Sequence, residues 1–89
     1  MQLADEAVAD LVARLRRVEG QVRGLQRMIE EGRDCEEVVT QFAAATKAFE
    51  RAAFKYFSTA LAECVAGSPR AAAGGYDRER MERLFLKLS

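Results

Sequence analysis

DCEEVVTQFAAATKAFERAAFKYFSTALAECVA, residues 34–66, is one uninterrupted helical signal. Asp34 suits an N-cap, and Glu37 stands three residues later in a capping-box relation. Val38, Phe42, Ala45, Phe49, Ala52, Tyr56, Ala60 and Cys64 recur at helical spacing, with Val39, Ala53 and Phe57 widening the stripe. No helix breaker occurs before Gly67-Ser68-Pro69, so the pattern predicts a helix over about 34–66.

Both cysteines of the chain, Cys35 and Cys64, lie at the ends of this helix, 29 positions apart. At about 1.5 Å per residue they are separated by roughly 43 Å. A disulfide needs Cα atoms within about 7 Å, so one straight helix cannot join its own thiols. Two copies packed antiparallel place Cys35 of one beside Cys64 of the other, with the apolar stripe around Phe49 between two such sites. The bland alternative is that both are small core residues, since free Cys is often buried.

Toward the N-terminus, Val8, Leu11, Leu15, Val18, Val22, Leu25 and Ile29 alternate steps of 3 and 4, a heptad seam. Asp5 and Glu6 suit an opening turn and Gly32 an αL stop, which predicts a helix over about 5–31. Gly20 and Gly24, four apart, cost helix propensity and suit close approach of another backbone. Toward the C-terminus, Ala71-Ala-Ala-Gly-Gly75 reads as a flexible connection. Asp77 then caps a short helix over about 77–88, with Met81, Leu84, Phe85 and Leu88 as its apolar face. The fold class is therefore all-α: a single domain over 1–89, two long helices and one short, completed by association.

Composition agrees. The chain has 49% hydrophobic residues, no Trp and only one Pro, which argues against a turn-rich β fold. No stretch approaches the ~20 apolar residues of a membrane span, and a cytoplasmic location is expected. Thiols there are more often reactive or metal-binding than structural staples. The net charge is zero, yet residues 11–33 hold six Arg against three Glu. A binder of nucleic acid by bulk charge alone is excluded, but a local basic face is not.

Cys35, at a helix start beside Arg33, is placed where the helix dipole and a cation favour the thiolate, the nucleophilic form. Cys64, next to Glu63 at the other end, suits a resolving role. Two thiolates also suit Cu(I), although stable sites recruit a third donor and the chain has no His. Without His, a cofactor motif or an expected cleft, an enzyme is disfavoured and no cofactor is expected.

The runs RLRRVEGQVRGL (14–25), MIEEGRDC (28–35), VTQFAAA (39–45) and LAEC (61–64) resemble the CsoR/RcnR family of bacterial transcriptional repressors. The resemblance implies an antiparallel dimer, usually a dimer-of-dimers tetramer, that binds operator DNA and releases it on reaction at an inter-subunit site. Copper sensors of the family use Cys, His and Cys. Here Cys35 and Cys64 match the cysteines, while Ala60 stands at the histidine position. Two cysteines without that histidine look like the CstR-type branch, which senses persulfides. On that resemblance Cys35 takes up sulfane sulfur and Cys64 of the other subunit resolves it to a di- or polysulfide. The alternatives are a Cu(I)-responsive repressor and, from another class, a helical scaffold with incidental thiols.

There is no helix-turn-helix or zinc-finger pattern. The candidate surface for double-stranded DNA is Arg14, Arg16 and Arg17 on the first helix with Lys47, Arg51 and Lys55, spaced by four, on the second. The bland reading of such charge is a solvated face with i,i+4 ion pairs. Arg23, Arg27 and Arg33 read equally as partners for Glu19, Glu30 and Glu31. Tyr76 has no role assigned by pattern.

Overall fold

The computed structural model describes residues 1–88, which form four helices and no strand. Helix α1 spans Asp5–Glu30, α2 Cys35–Val65, α3 Pro69–Ala73 and α4 Arg78–Phe85. The two long helices agree with the expected spans once their cap residues Glu31, Asp34 and Ala66 are counted.

Their ends are set by local chemistry. Gly32 adopts φ +67°, and its N–H donates to the Ile29 carbonyl (3.1 Å) while the Arg33 N–H donates to Met28 (2.9 Å). This is a Schellman stop, with a left-handed residue that glycine tolerates best. Gly67 repeats it at φ +64°, closing onto Cys64 and Glu63. Between them, the Asp34 carboxylate caps α2 by accepting from the Glu36 N–H at 3.2 Å. Glu37 does not complete the expected box with Asp34, because it takes the Arg33 side chain at 2.9 Å.

The C-terminal region departs from expectation. Ala71–Ala73 belong to a helix, not a flexible connection. Ser68 accepts from the Ala71 N–H at 3.2 Å and Pro69 occupies the first turn, where its missing donor costs nothing. Gly67 thus ends α2 and Pro69 starts α3. The expected helix over 77–88 is shorter, Arg78–Phe85. Beyond it the Lys87 and Leu88 N–H groups donate to Leu84 and Phe85, three residues back, which tightens the chain into a turn.

α1 and α2 form an antiparallel hairpin. Leu11, Val18 and Leu25, seven apart, are buried on α1, and they face Ala45, Ala52 and Ala60 on α2. Branched side chains against alanines let the helices approach closely. The other half of the heptad seam, Val8, Leu15, Val22 and Ile29, stays exposed within one subunit. So do Phe42, Phe49 and Tyr56, each about half exposed. Outside their own helical turns, nothing among the described residues would come within 4 Å of a methyl group at Gly20 or Gly24, so no other backbone of the subunit makes the expected approach there.

A second core closes the far end of the hairpin. Leu3, Leu11, Ala60, Cys64, Ala71 and Met81 are buried together, with Phe57, Tyr76 and Leu84 packed around them. Phe57 of α2 meets Phe85 of α4 with ring centroids 4.8 Å apart, which holds α4 against α2. Leu3 lies ahead of the first helix, so burial begins earlier than the helical pattern does.

The subunit is elongated, 51 × 26 × 14 Å, with a radius of gyration of 16.8 Å. A compact domain of this length has a radius near 12 Å. Its surface is 6645 Å², whereas folded monomers of this mass expose about 5,200 Å².

Candidate functional site

Cys35 occupies the first helical position of α2 and is exposed, with its thiol free. Asp34, Glu36 and Glu37 crowd the same helix start. The Arg33 cation expected to support a thiolate is engaged elsewhere. Its Nε donates to Glu37 at 2.9 Å, and Nη1 lies 3.9 Å from Glu31. What the geometry does supply to Cys35 is access and the unpaired N–H groups of the first turn.

Cys64 is the opposite case. It lies in the last turn of α2, buried in the cluster with Ala60, Ala71 and Met81. Burial pushes its thiol up from the ordinary value, and the carboxylates of Asp77 and Glu63 add to the shift. The N-terminal ammonium opposes it weakly. Cys64 is therefore held as the neutral thiol. The two cysteines stand at opposite ends of a 31-residue helix and are not brought together within one subunit.

Ala60, one turn before Cys64, is only 1% exposed. It fills a close-packed apolar place and contributes no donor atom. Among the described residues of one subunit, no group of three His, Cys, Asp or Glu side chains is placed to hold a metal.

The basic residues do converge. Arg14 of α1 and Lys47, Arg51 and Lys55 of α2 line one open groove, together with Glu50, Phe54 and Ser58. The hairpin brings this about, since its antiparallel packing sets the first half of α1 beside the middle of α2. Arg17 follows Arg14 by three positions and acts electrostatically on the same carboxylate, that of Asp10, as Arg14 and Lys55 do. Arg16 departs from the expected set: two positions from Arg14 turn it about 200° around α1, away from the groove.

Three residues of this face escaped pattern reading. Asp10 pairs with Arg14, Oδ2 to Nε, at 2.9 Å. Glu50 sits among the cations, and Phe54 exposes 64% of its surface there. The signal existed, because Asp10 is four before Arg14, and Phe54 is three after Arg51 and seven after Lys47. Of the other candidate ion pairs, Arg23 bonds Glu19 at 2.9 Å and Arg33 takes Glu37 ahead of Glu31.

Known proteins resemble this chain in sequence and fold. The family model described as metal-sensitive transcriptional repressor matches residues 7–87. The copper-sensing transcriptional repressor RicR of Mycobacterium tuberculosis (strain ATCC 25618 / H37Rv) is 52% identical over 52 residues. That match covers 58% of this chain and about half, 54%, of RicR. The copper-sensing transcriptional repressor CsoR of Bacillus subtilis (strain 168) is 36% identical over 76 residues, covering 85% of this chain and 75% of CsoR. The crystal structure of the copper-sensing repressor CsoR with Cu(I) from Geobacillus thermodenitrificans NG80-2 superposes with a TM-score of 0.76 at 28% identity. It covers 99% of this chain and 88% of that one. The nickel-responsive transcriptional regulator InrS gives 0.68 at 35% identity, over 99% and 92% of the two chains. These relatives are regulators, not enzymes.

Proposed function

The chain belongs to the family of metal-sensitive transcriptional repressors that includes CsoR, and on that premise we propose that it represses transcription by binding operator DNA through the Arg14–Lys47–Arg51–Lys55 groove. Its inducer acts at a paired thiol site, Cys35 of one subunit with Cys64 of an antiparallel second copy. The single observation that carries this is the placement of two free cysteines at opposite ends of α2 in a subunit too elongated to bury its own apolar surface.

Association supplies what the subunit lacks. Its surface exceeds that of a compact monomer by about 1,400 Å², more than the ~800 Å² each partner buries in a standard interface. The exposed seam of Val8, Leu15, Val22 and Ile29, with Phe42, Phe49 and Tyr56, is the apolar face to be covered. An antiparallel dimer over that face, and a dimer of such dimers, repeats the basic groove along DNA.

The inducer that fits the thiol pair is a persulfide. Exposed Cys35 attacks the sulfane sulfur of an organic persulfide, becoming Cys–S–SH as the organic thiolate leaves. Cys64 of the second copy, after giving its thiol proton to solvent, attacks the inner sulfur as the thiolate and expels hydrosulfide. Two thiols are oxidised by two electrons, the sulfane sulfur is reduced, and a disulfide joins the subunits. Longer polysulfides leave extra sulfur in the bridge. Since α2 carries both the thiols and Lys47, Arg51 and Lys55, tying its ends alters the spacing of basic faces across the oligomer.

A second reading is favoured by the relatives, three of which are copper-sensing by name. Cu(I) is a soft ion that two thiolates can hold, and Cys35 with Cys64 of the second copy would be its ligands. Nickel fits poorly, because imidazole donors are wanted and the chain has no His.

Operator binding after treatment with polysulfide or, anaerobically, with Cu(I) separates the two. Non-reducing electrophoresis and intact mass are read on the same samples. A crosslinked dimer carrying added sulfur, with loss of DNA binding, supports the persulfide reading. Release by stoichiometric Cu(I) without a crosslink supports copper. Unchanged monomer bands and undiminished DNA binding in both arms overturn the thiol switch.

A further inference from the structure

We infer that Asp10 is an internal competitor for DNA phosphate, holding Arg14 in an ion pair that the duplex has to displace. The inference rests on the DNA-binding reading of the groove and assigns to an acidic residue the setting of its affinity.

The pair is well formed: Arg14 Nε donates to Asp10 Oδ2 at 2.9 Å, one helical turn apart. Both side chains stay accessible, 39% and 48% exposed. Arg14 is the one groove cation contributed by α1, facing Lys47, Arg51 and Lys55 across the hairpin. Asp10 also feels the fields of Lys55 and Arg17, so it sits at the mouth of the basic face and not on a remote surface. A carboxylate and a phosphate ask the same thing of a guanidinium, a charge-assisted bond to its planar fork. Asp10 therefore occupies the donor that a phosphate would use.

Magnitude decides that the pair tunes affinity instead of abolishing it. Exposed ion pairs are weak, and a phosphate backbone concentrates far more charge than one carboxylate. Glu50 offers a contrast in the same groove. It is acidic and lines the face, yet it makes no ion pair among the described residues.

The test is fluorescence anisotropy with a labelled mixed-sequence duplex of about 30 base pairs, across a series of salt concentrations. Asp10→Asn is expected to tighten binding about two- to fivefold at each Arg14, the range released by one exposed pair. It should also steepen the salt dependence by about 0.9 in log–log slope for each additional phosphate neutralised. Glu82→Gln removes an equal charge and breaks the Arg78 pair on α4, outside the groove, and should leave affinity and slope unchanged. In an Arg14→Ala background Asp10→Asn should have no effect, and circular dichroism confirms that each variant is folded. Equal or weaker binding by Asp10→Asn, or an equal gain in the Arg14→Ala background, overturns the inference while leaving DNA binding intact. Wild-type protein that binds no duplex at about 50 mM salt overturns the DNA-binding reading itself.

Discussion

The guanidinium of Arg80 stands 3.8 Å from the centroid of the Tyr76 ring, and its Nη1 donates to the Gly74 carbonyl at 3.0 Å. A longer bond reaches the Gly75 carbonyl at 3.4 Å. One side chain thus ties the α3–α4 turn together. Tyr76 packs on the cluster that buries Cys64. This contact fastens the cover over the less accessible thiol.

Thiol access should report that fastening. In wild-type protein at neutral pH, iodoacetamide is expected to modify Cys35 well before Cys64, followed site by site with peptide mass spectrometry. Arg80→Ala removes a cation–π contact of about 0.5–1 kcal/mol, so Cys64 alkylation should accelerate about threefold while Cys35 is unaffected. Equal acceleration at both sites would mean general loosening, not an opened cover.

The buried thiol also predicts a pH dependence of stability. Cys64 ionises above its ordinary value of 9.0 in the folded chain, mainly through burial. Its contribution is fully present below that value and is lost as pH rises through the raised one. Urea midpoints should therefore fall on the alkaline side, beginning above the ordinary thiol range. Cys64→Ala should flatten that decline, and a decline of the same depth in the variant would assign it to other groups.

Core substitutions should divide the heptad seam in two. Leu11→Ala empties a buried site and is expected to cost about 2–5 kcal/mol in chemical denaturation. Leu15→Ala, on the half of the seam exposed within one subunit, should act mainly through association. Its effect should grow as protein is diluted, which sedimentation velocity can follow. A concentration-independent loss at Leu15 would place it in the subunit core instead.

The cations of the two long helices should divide as well. Arg51→Ala, in the groove, is expected to weaken duplex binding and lower the salt slope by about one for each phosphate left unneutralised. Arg16→Ala, on the opposite face of α1 from Arg14, should change neither. Matching losses would show that DNA reaches around the helix.

A histidine at position 60 probes the choice of inducer. Ala60→His places an imidazole one turn before Cys64, the arrangement that the family resemblance associates with copper. Cu(I) affinity, measured by competition with a chromogenic chelator, should rise. Because Ala60 is 1% exposed, overpacking should also cost about 1–3 kcal/mol of stability. Unchanged Cu(I) affinity would mean that the thiol pair is not arranged around this position.

How much of the fold is legible along the chain follows the range of the forces involved. Helix ends at Gly32, Asp34, Gly67 and Asp77 are legible because caps and left-handed stops act over a few residues. Ser68-Pro69 obeys the same local rules, yet α3 escapes pattern reading because Pro69 reads as a terminator before it reads as a first-turn residue. The likeness of the cysteine and arginine runs to a repressor family is legible too, and the comparison with known proteins bears it out.

Sequence alone determined that this chain makes two long helices with its cysteines stranded at the ends of the second, since periodicity, caps and rise per residue are local quantities. Tertiary packing decided the rest. Alternating steps of 3 and 4 describe a stripe but not which half turns inward. Leu11, Val18 and Leu25 are chosen because alanines on α2 leave them room. The same packing buried Cys64 under Leu3 and Met81 and set Arg14 opposite Arg51. Those contacts join residues far apart in the chain, and their energies depend on shape and charge across the hairpin, which no local pattern contains.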